Sequence, residues 1–177
     1  MNLLNKTKTY LAGPMEFGSN NLSWREEVED FLSGMNITVM SPFNPPFIEK
    51  IDEGKQGFLK SVRENGDLYD LEERMKKIRR FDLGMVDKCD FMIVKLDPEV
   101  PTFGTLDELV HAEGMNKPIF LWCKGGKRKC PLYIYSLVSP KYMYDSLEDL
   151  LNKIKEINSG QMEIDSKRWR LLKMEYR

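Results

Sequence analysis

The run Phe91-Met92-Ile93-Val94-Lys95-Leu96, followed by a turn through Gly104 and a helix-like run ending near Gly114, restricts the folds open to this chain more than any other feature. A short apolar run bounded by turn residues reads as a buried strand, and a strand leading through a glycine turn into a helix belongs to an open α/β sheet. The same alternation recurs along the chain. Lys8-Thr9-Tyr10-Leu11-Ala12 is a first strand, broken by Gly13-Pro14. Ser23 is the expected N-cap of a helix through Trp24, Val28, Phe31 and Leu32, stopped at Gly34. Ile37 to Met40 is a second strand, and a helix from about Asp70 to Lys88 carries Leu71, Met75, Ile78, Leu83 and Val86 on its apolar side. Lys117 to Trp122 is a further strand, Leu132 to Val138 a short helix or strand, and Ser146 to Ile157 an amphipathic helix. Strands joined in order by helices predict a Rossmann-like, doubly wound α/β sheet, mostly parallel, of about five strands flanked by helices.

A chain of 177 residues is long enough for one domain with a sizeable core, spanning residues 1–177. Within it, residues 42 to 70 read as a long irregular loop, because Pro42, Pro45, Pro46, Gly54, Gly57 and Gly66 punctuate it. Loops of that length are usually functional, and Phe43, Phe47 and Phe58 are there either to stack on a ligand or to anchor the loop. The tail, 160–177, is amphipathic and holds Arg168, Trp169 and Tyr176. Net charge is −1 with both signs interspersed, which offers no electrostatic case for nucleic acid or for an anionic membrane. No stretch approaches the roughly 18 apolar residues of a membrane span, and the N-terminus lacks the apolar core of a signal peptide. The three cysteines, Cys89, Cys123 and Cys130, show no paired spacing, and His111 is the single histidine, so a zinc site would lack ligands. Cys89 and Cys123 sit in or beside apolar runs and read as buried thiols of a cytoplasmic protein.

In a parallel sheet three places converge on one crevice: the turn Tyr10 to Met15, Asp82 on the helix before the third strand, and Thr102 to Glu108 after that strand. Ligands bind outside the carboxyl ends of such strands. Glu108 lies near the start of its helix, where the dipole favours negative charge, so an ionised carboxylate is expected there, and phosphate suits the same place. An ionised carboxylate in such a crevice has the character of a nucleophile towards a sugar carbon.

At these residues the chain resembles the nucleoside 2-deoxyribosyltransferase family. The match runs from Tyr10-Leu11-Ala12-Gly13-Pro14 through Phe81-Asp82-Leu83-Gly84-Met85-Val86 and Lys88-Cys89-Asp90. It closes with Gly104, Glu108-Leu109, Ala112 and Asn116-Lys117-Pro118, and covers roughly residues 8 to 123. The resemblance implies that Glu108 is the nucleophile, attacking C1′ and releasing the base. It implies that Asp82 binds sugar hydroxyls or helps protonate the leaving base, and that Tyr10 holds the nucleophile. Gly13, Pro14 and Met15 in the first turn, with Thr102, Gly104 and Thr105 in the second, would contact substrate. N-glycosidic cleavage passes through an oxocarbenium-like state that a carboxylate can trap. Family members acting on free nucleosides carry an aspartate six residues before the nucleophile. This chain has Thr102 there. The related deoxynucleoside 5′-monophosphate N-hydrolases have a hydroxyl residue at that place, which favours a nucleotide substrate and leaves base exchange in doubt. The resemblance further implies no metal or organic cofactor, and a homo-oligomer, dimer or larger, with the tail covering a neighbouring subunit. The alternatives are a phosphoribohydrolase or NAD glycohydrolase on the same scaffold, and a non-catalytic nucleotide-binding protein. Outside this set, His111 follows Glu108 by three residues, a spacing that lets them share a helix face and lets His111 tune the carboxylate, but a lone histidine is more often structural. The basic loop Lys124-Gly125-Gly126-Lys127-Arg128-Lys129 lacks the phosphate-loop frame and reads as a solvated loop.

Overall fold

Every strand pairing is parallel among the residues described by the computed structural model, which are 2–14, 22–42, 56–161, 167–169 and 172, with 56–58 as backbone alone. The strands are β1 (Lys8–Ala12), β2 (Thr38–Met40), β3 (Phe91–Leu96), β4 (Ile119–Cys123) and β5 (Met143–Tyr144), in the spatial order β2-β1-β3-β4-β5. The order reverses direction between β1 and β3, so this is a doubly wound sheet with its switch point there. The helices are α1 (Ser23–Ser33), α2 (Gln56–Asn65), α3 (Leu68–Lys88), α4 (Phe103–Gly114), α5 (Ile134–Leu137) and α6 (Leu147–Ser159). Contacts join α3 to α4 and α1 to α6, so the two pairs cover opposite faces.

Central strands of a covered parallel sheet are buried on both sides and read as unbroken apolar runs. β3 obeys this: Phe91, Met92, Ile93 and Val94 are buried, while Lys95 is only half-buried. Residues in register share a face. Phe91, Ile93 and Lys95 therefore point with Phe120 and Trp122 towards α1 and α6, and Met92 points with Tyr10 towards α3 and α4. On the first face Phe91 and Phe120 meet edge to face at 5.9 Å, and the Trp169 ring lies 6.0 Å and 5.5 Å from them. Trp169 is fully buried, and neighbouring Arg168 donates to the Lys117 carbonyl and to Glu113. These two residues thus pack on their own chain, where the sequence reading had the tail reaching a neighbouring subunit. Tyr176 lies outside the described residues.

Several local expectations change. Ser23 is the first residue of α1 rather than its N-cap, which is Leu22, while Gly34 is the C-cap at which the helix stops, as expected. The stretch 42 to 70 is not irregular throughout, because α2 and the start of α3 occupy its second half. Gly57 lowers helix propensity there, yet α2 forms packed against α3, as tertiary contact overrides weak local preference. No described helix is long and apolar enough to cross a membrane. The packing of the tail has a direct test: Trp169→Ala should lower unfolding stability by ~3–5 kcal/mol in urea titrations, whereas a loss under ~1 kcal/mol would show that the tail is no part of the core.

Candidate active site

α4 positions the central carboxylate through its own periodicity. Its buried residues are Thr105, Glu108, Leu109 and Ala112, the spacing of a single helical stripe facing the sheet. Glu108 therefore occupies a core position and is only 7% exposed. β1 presents Tyr10 to the same face, and the Tyr10 hydroxyl donates a hydrogen bond of 2.7 Å to Glu108 Oε1. Tyr10 is itself fully buried, so it meets the cavity only through Glu108. Two bridges across the seam hold α4 to α3. Arg79 grips Asp107 with both Nε and Nη2, at 2.7 Å and 3.0 Å, and His111 Nε2 lies 2.7 Å from Asp87 Oδ1. His111 is thus tied to α3, in keeping with the structural role that a lone histidine more often has.

The expected helix-end effect does not govern Glu108. It is the sixth residue of α4, and the dipole acts mainly over the first turn. Burial dominates instead and pushes the carboxyl up to about 8. The Tyr10 hydrogen bond and the Arg25 charge pull against burial, while Asp82 and Asp107 add to it. Burial thus favours the protonated form of Glu108, whereas the sequence reading expected the helix end to favour the ionised one.

A cavity of about 310 Å³ opens beside this carboxyl. Its walls bring together Gly13, Pro14, Asp82, Thr102, Gly104, Thr105 and Glu108; Met15 lies outside the described residues. Gly13 sits in a tight place: a Cβ there would stand 3.1 Å from the Trp24 ring and 3.2 Å from Lys95. A Cβ on Gly104 would meet nothing within 4 Å. Thr102 caps α4 without a side-chain capping bond, and Phe103 beside it is 81% exposed.

Sequence reasoning missed part of this wall. Leu71, Met75 and Ile78, expected on a core-facing stripe of α3, line the cavity instead, in line with Asp82. Leu59, Lys60 and Arg63 of α2 complete the wall, and only their helical spacing between two glycines could have pointed to them. Phe43 and Phe47 lie outside the described residues, as does the Phe58 side chain. The basic loop stays away from the cavity: Lys124 bonds Asp97 and Glu99, and the Lys127 amide donates to Asp145. Among the described residues no three His, Cys, Asp or Glu side chains gather as a metal site.

A family model described as nucleoside 2-deoxyribosyltransferase matches residues 9–160. Among solved structures, the 2-deoxyribosyltransferase of Bacillus psychrosaccharolyticus is similar at 22% identity, with a TM-score of 0.57 over 82% of this chain and 90% of that one. The CMP N-glycosidase BcmB of Clostridium botulinum aligns at 19% identity, with a TM-score of 0.47 over 84% of this chain and 98% of that one. No curated protein sequence matches the chain.

The protonation of Glu108 has a consequence for stability. Its carboxyl binds a proton more tightly folded than unfolded, so its contribution is complete below the ordinary value of 4.5 and is lost as pH rises through about 8. Denaturant titrations across that interval should show stability declining with pH, and Glu108→Gln should flatten the decline. Tyr10→Phe removes a group that pulls the value down and should extend the decline to higher pH while its onset stays near 4.5. An identical slope in wild type and Glu108→Gln would refute the burial argument.

Proposed function

Because the chain belongs to the nucleoside 2-deoxyribosyltransferase family, a family of enzymes that cleave N-glycosidic bonds, we propose that its cavity holds a nucleoside or nucleotide and that Glu108 is the nucleophile. The observation that carries this reading is a carboxyl at the cavity wall, buried on its helix and oriented at 2.7 Å by Tyr10, with Asp82 on the same wall. In the first step Glu108 attacks C1′, the bond to the base nitrogen breaks, and its electron pair leaves with the base. The departing base needs a proton or a hydrogen bond, and Asp82, a second carboxyl on the cavity wall, is our candidate to assist it or to hold the sugar hydroxyls. Water or a second base then attacks C1′ and frees Glu108, so hydrolysis and transfer share one intermediate.

The surrounding wall supports an assignment of parts. Leu71, Met75 and Ile78 give the cavity an apolar stretch of wall suited to a base, with exposed Phe103 also lining it. Thr102, whose hydroxyl makes no capping bond, faces the same space as Lys60 and Arg63, which favours a phosphorylated substrate over a free nucleoside. A cavity of about 310 Å³ stands at the lower end of ligand sites, which favours a mononucleotide over a dinucleotide such as NAD.

Base release from a panel of deoxynucleosides, ribonucleosides and their 5′-monophosphates, with and without an acceptor base, tests this directly. Release should vanish in Glu108→Ala, and kcat/KM should climb with pH towards a plateau above about 8, as the free enzyme loses the Glu108 proton. Turnover that persists in Glu108→Ala would overturn the assignment. Tight nucleotide binding with no turnover would make the chain a binder. Gly104→Ala separates fold from site: it should leave stability unchanged or raise it by up to ~1 kcal/mol, since Ala is the better helix former. Its KM should nevertheless rise if substrate passes close to that backbone, and an unchanged KM would remove Gly104 from the site.

A further inference from the structure

α3 and α4 pack against one another, and each brings one carboxyl to the cavity, Asp82 from α3 and Glu108 from α4. Two ion pairs cross the seam between these helices. Arg79 of α3 meets Asp107 of α4 through Nε at 2.7 Å and Nη2 at 3.0 Å, and His111 Nε2 of α4 lies 2.7 Å from Asp87 Oδ1 of α3. Along α3, Asp82 falls between Arg79 and Asp87; along α4, Glu108 falls between Asp107 and His111. We infer that these ties set the separation of the two carboxyls and that Arg79, which makes the forked one, is a positioning residue of the site. The inference rests on the reading of Glu108 as nucleophile with Asp82 assisting it. It assigns Arg79 no contact with substrate, since neither Arg79 nor Asp107 lines the cavity.

The two helices differ in how the core holds them. α4 is anchored along its length by Thr105, Glu108, Leu109 and Ala112, all buried. The buried residues of α3 are Met85 and Val86, both in its last turn. Asp82 stands before them, on a stretch that rests on the sheet less firmly, so its place relative to Glu108 depends on what ties α3 to α4. A single tie is a pivot about which one helix turns on the other, and two ties at different heights remove that freedom. Helical rise sets Arg79 and Asp87 about 12 Å apart along α3, and Asp107 and His111 about 6 Å apart along α4. The guanidinium gives its carboxylate two parallel donors, so this pair fixes orientation as well as distance, which an ammonium does not. Its side chains are 62% and 38% exposed, and exposed ion pairs add little to stability. Its effect therefore falls on geometry, where a shift of about 1 Å at a reacting group costs up to about a hundredfold in rate.

Rate and geometry are both read in the full chain. With the member of the deoxynucleoside and 5′-monophosphate panel that wild type cleaves fastest, Arg79→Gln should lower kcat about tenfold and leave KM within about twofold. The loss should persist on the high-pH plateau, and the melting temperature should stay within about 3 °C of wild type. Arg79→Lys, which keeps the charge without the fork, should fall between the two. Lys76→Gln, which removes an exposed pair with Glu72 inside α3, should leave kcat unchanged. Geometry is measured by pulsed electron double resonance between nitroxides on Lys77→Cys of α3 and Val110→Cys of α4, both exposed, the three native cysteines being buried. The distance distribution should broaden in Arg79→Gln and stay as narrow as wild type in Lys76→Gln. An unchanged distribution in Arg79→Gln overturns the inference, and so does a broadened one with kcat at the wild-type level. A loss of kcat that disappears on the high-pH plateau overturns it too, because Arg79 would then act as a charge and not as a brace. Base release surviving in Glu108→Ala would instead sink the reading of the nucleophile, and the distance distribution, which needs no turnover, keeps the two failures apart.

Discussion

Side by side at the centre of the sheet, β1 and β3 run parallel, with Leu11 opposite Ile93 and Ala12 opposite Val94. Parallel neighbours release their chains at the same edge, so the turn after β1 and the turn into α4 meet there. Everything described at the site follows from that shared edge. Tyr10 and Met92 lie in register and point to one face, and α4 packs on that face with Glu108 in its buried stripe. The Tyr10–Glu108 hydrogen bond spans 98 residues of sequence and joins the two halves of the winding at the switch point. On the opposite face the rings of Phe91 in β3, Phe120 in β4 and Trp169 pack together and join the centre of the sheet to β4.

The cost of this arrangement falls on Glu108. A carboxyl in a core stripe loses its water, and two further acids stand within electrostatic reach. Folding thus prefers the protonated form, while nucleophilic attack requires the other one. Tyr10 and Arg25 oppose burial without cancelling it, which leaves a group poised near neutrality rather than fixed in one state. Conflict between stability and use is what a functional site built into a core tends to show.

How much was readable beforehand depended on how local each signal was. β3 stood out because a strand covered on both faces needs no polar positions, and α4 because its turn and its apolar spacing agree. β5 escaped because Met143–Tyr144 is too short to show a period. α2 escaped because Gly57 and its prolines upstream read as loop, and only packing against α3 favours the helix. The apolar side of α3 was visible as a pattern, but a pattern does not say whether core or cavity lies opposite it. Leu71, Met75 and Ile78 face the cavity, whereas Met85 and Val86 face the core. For His111 the sequence favoured a structural role without naming a partner, and packing supplied Asp87.

By itself the sequence determined the alternation of strands and helices, the doubly wound sheet and the turns at which Tyr10, Asp82, Thr102 and Glu108 would gather. Those follow from periodicity and turn chemistry, which act over a few residues. Tertiary structure alone decided that Glu108 is buried, with its carboxyl pushed up by that burial, that Tyr10 bonds it, and that α2 and α3 supply much of the wall. Solvation and electrostatics depend on which distant segments close over a group, and no local pattern carries that information.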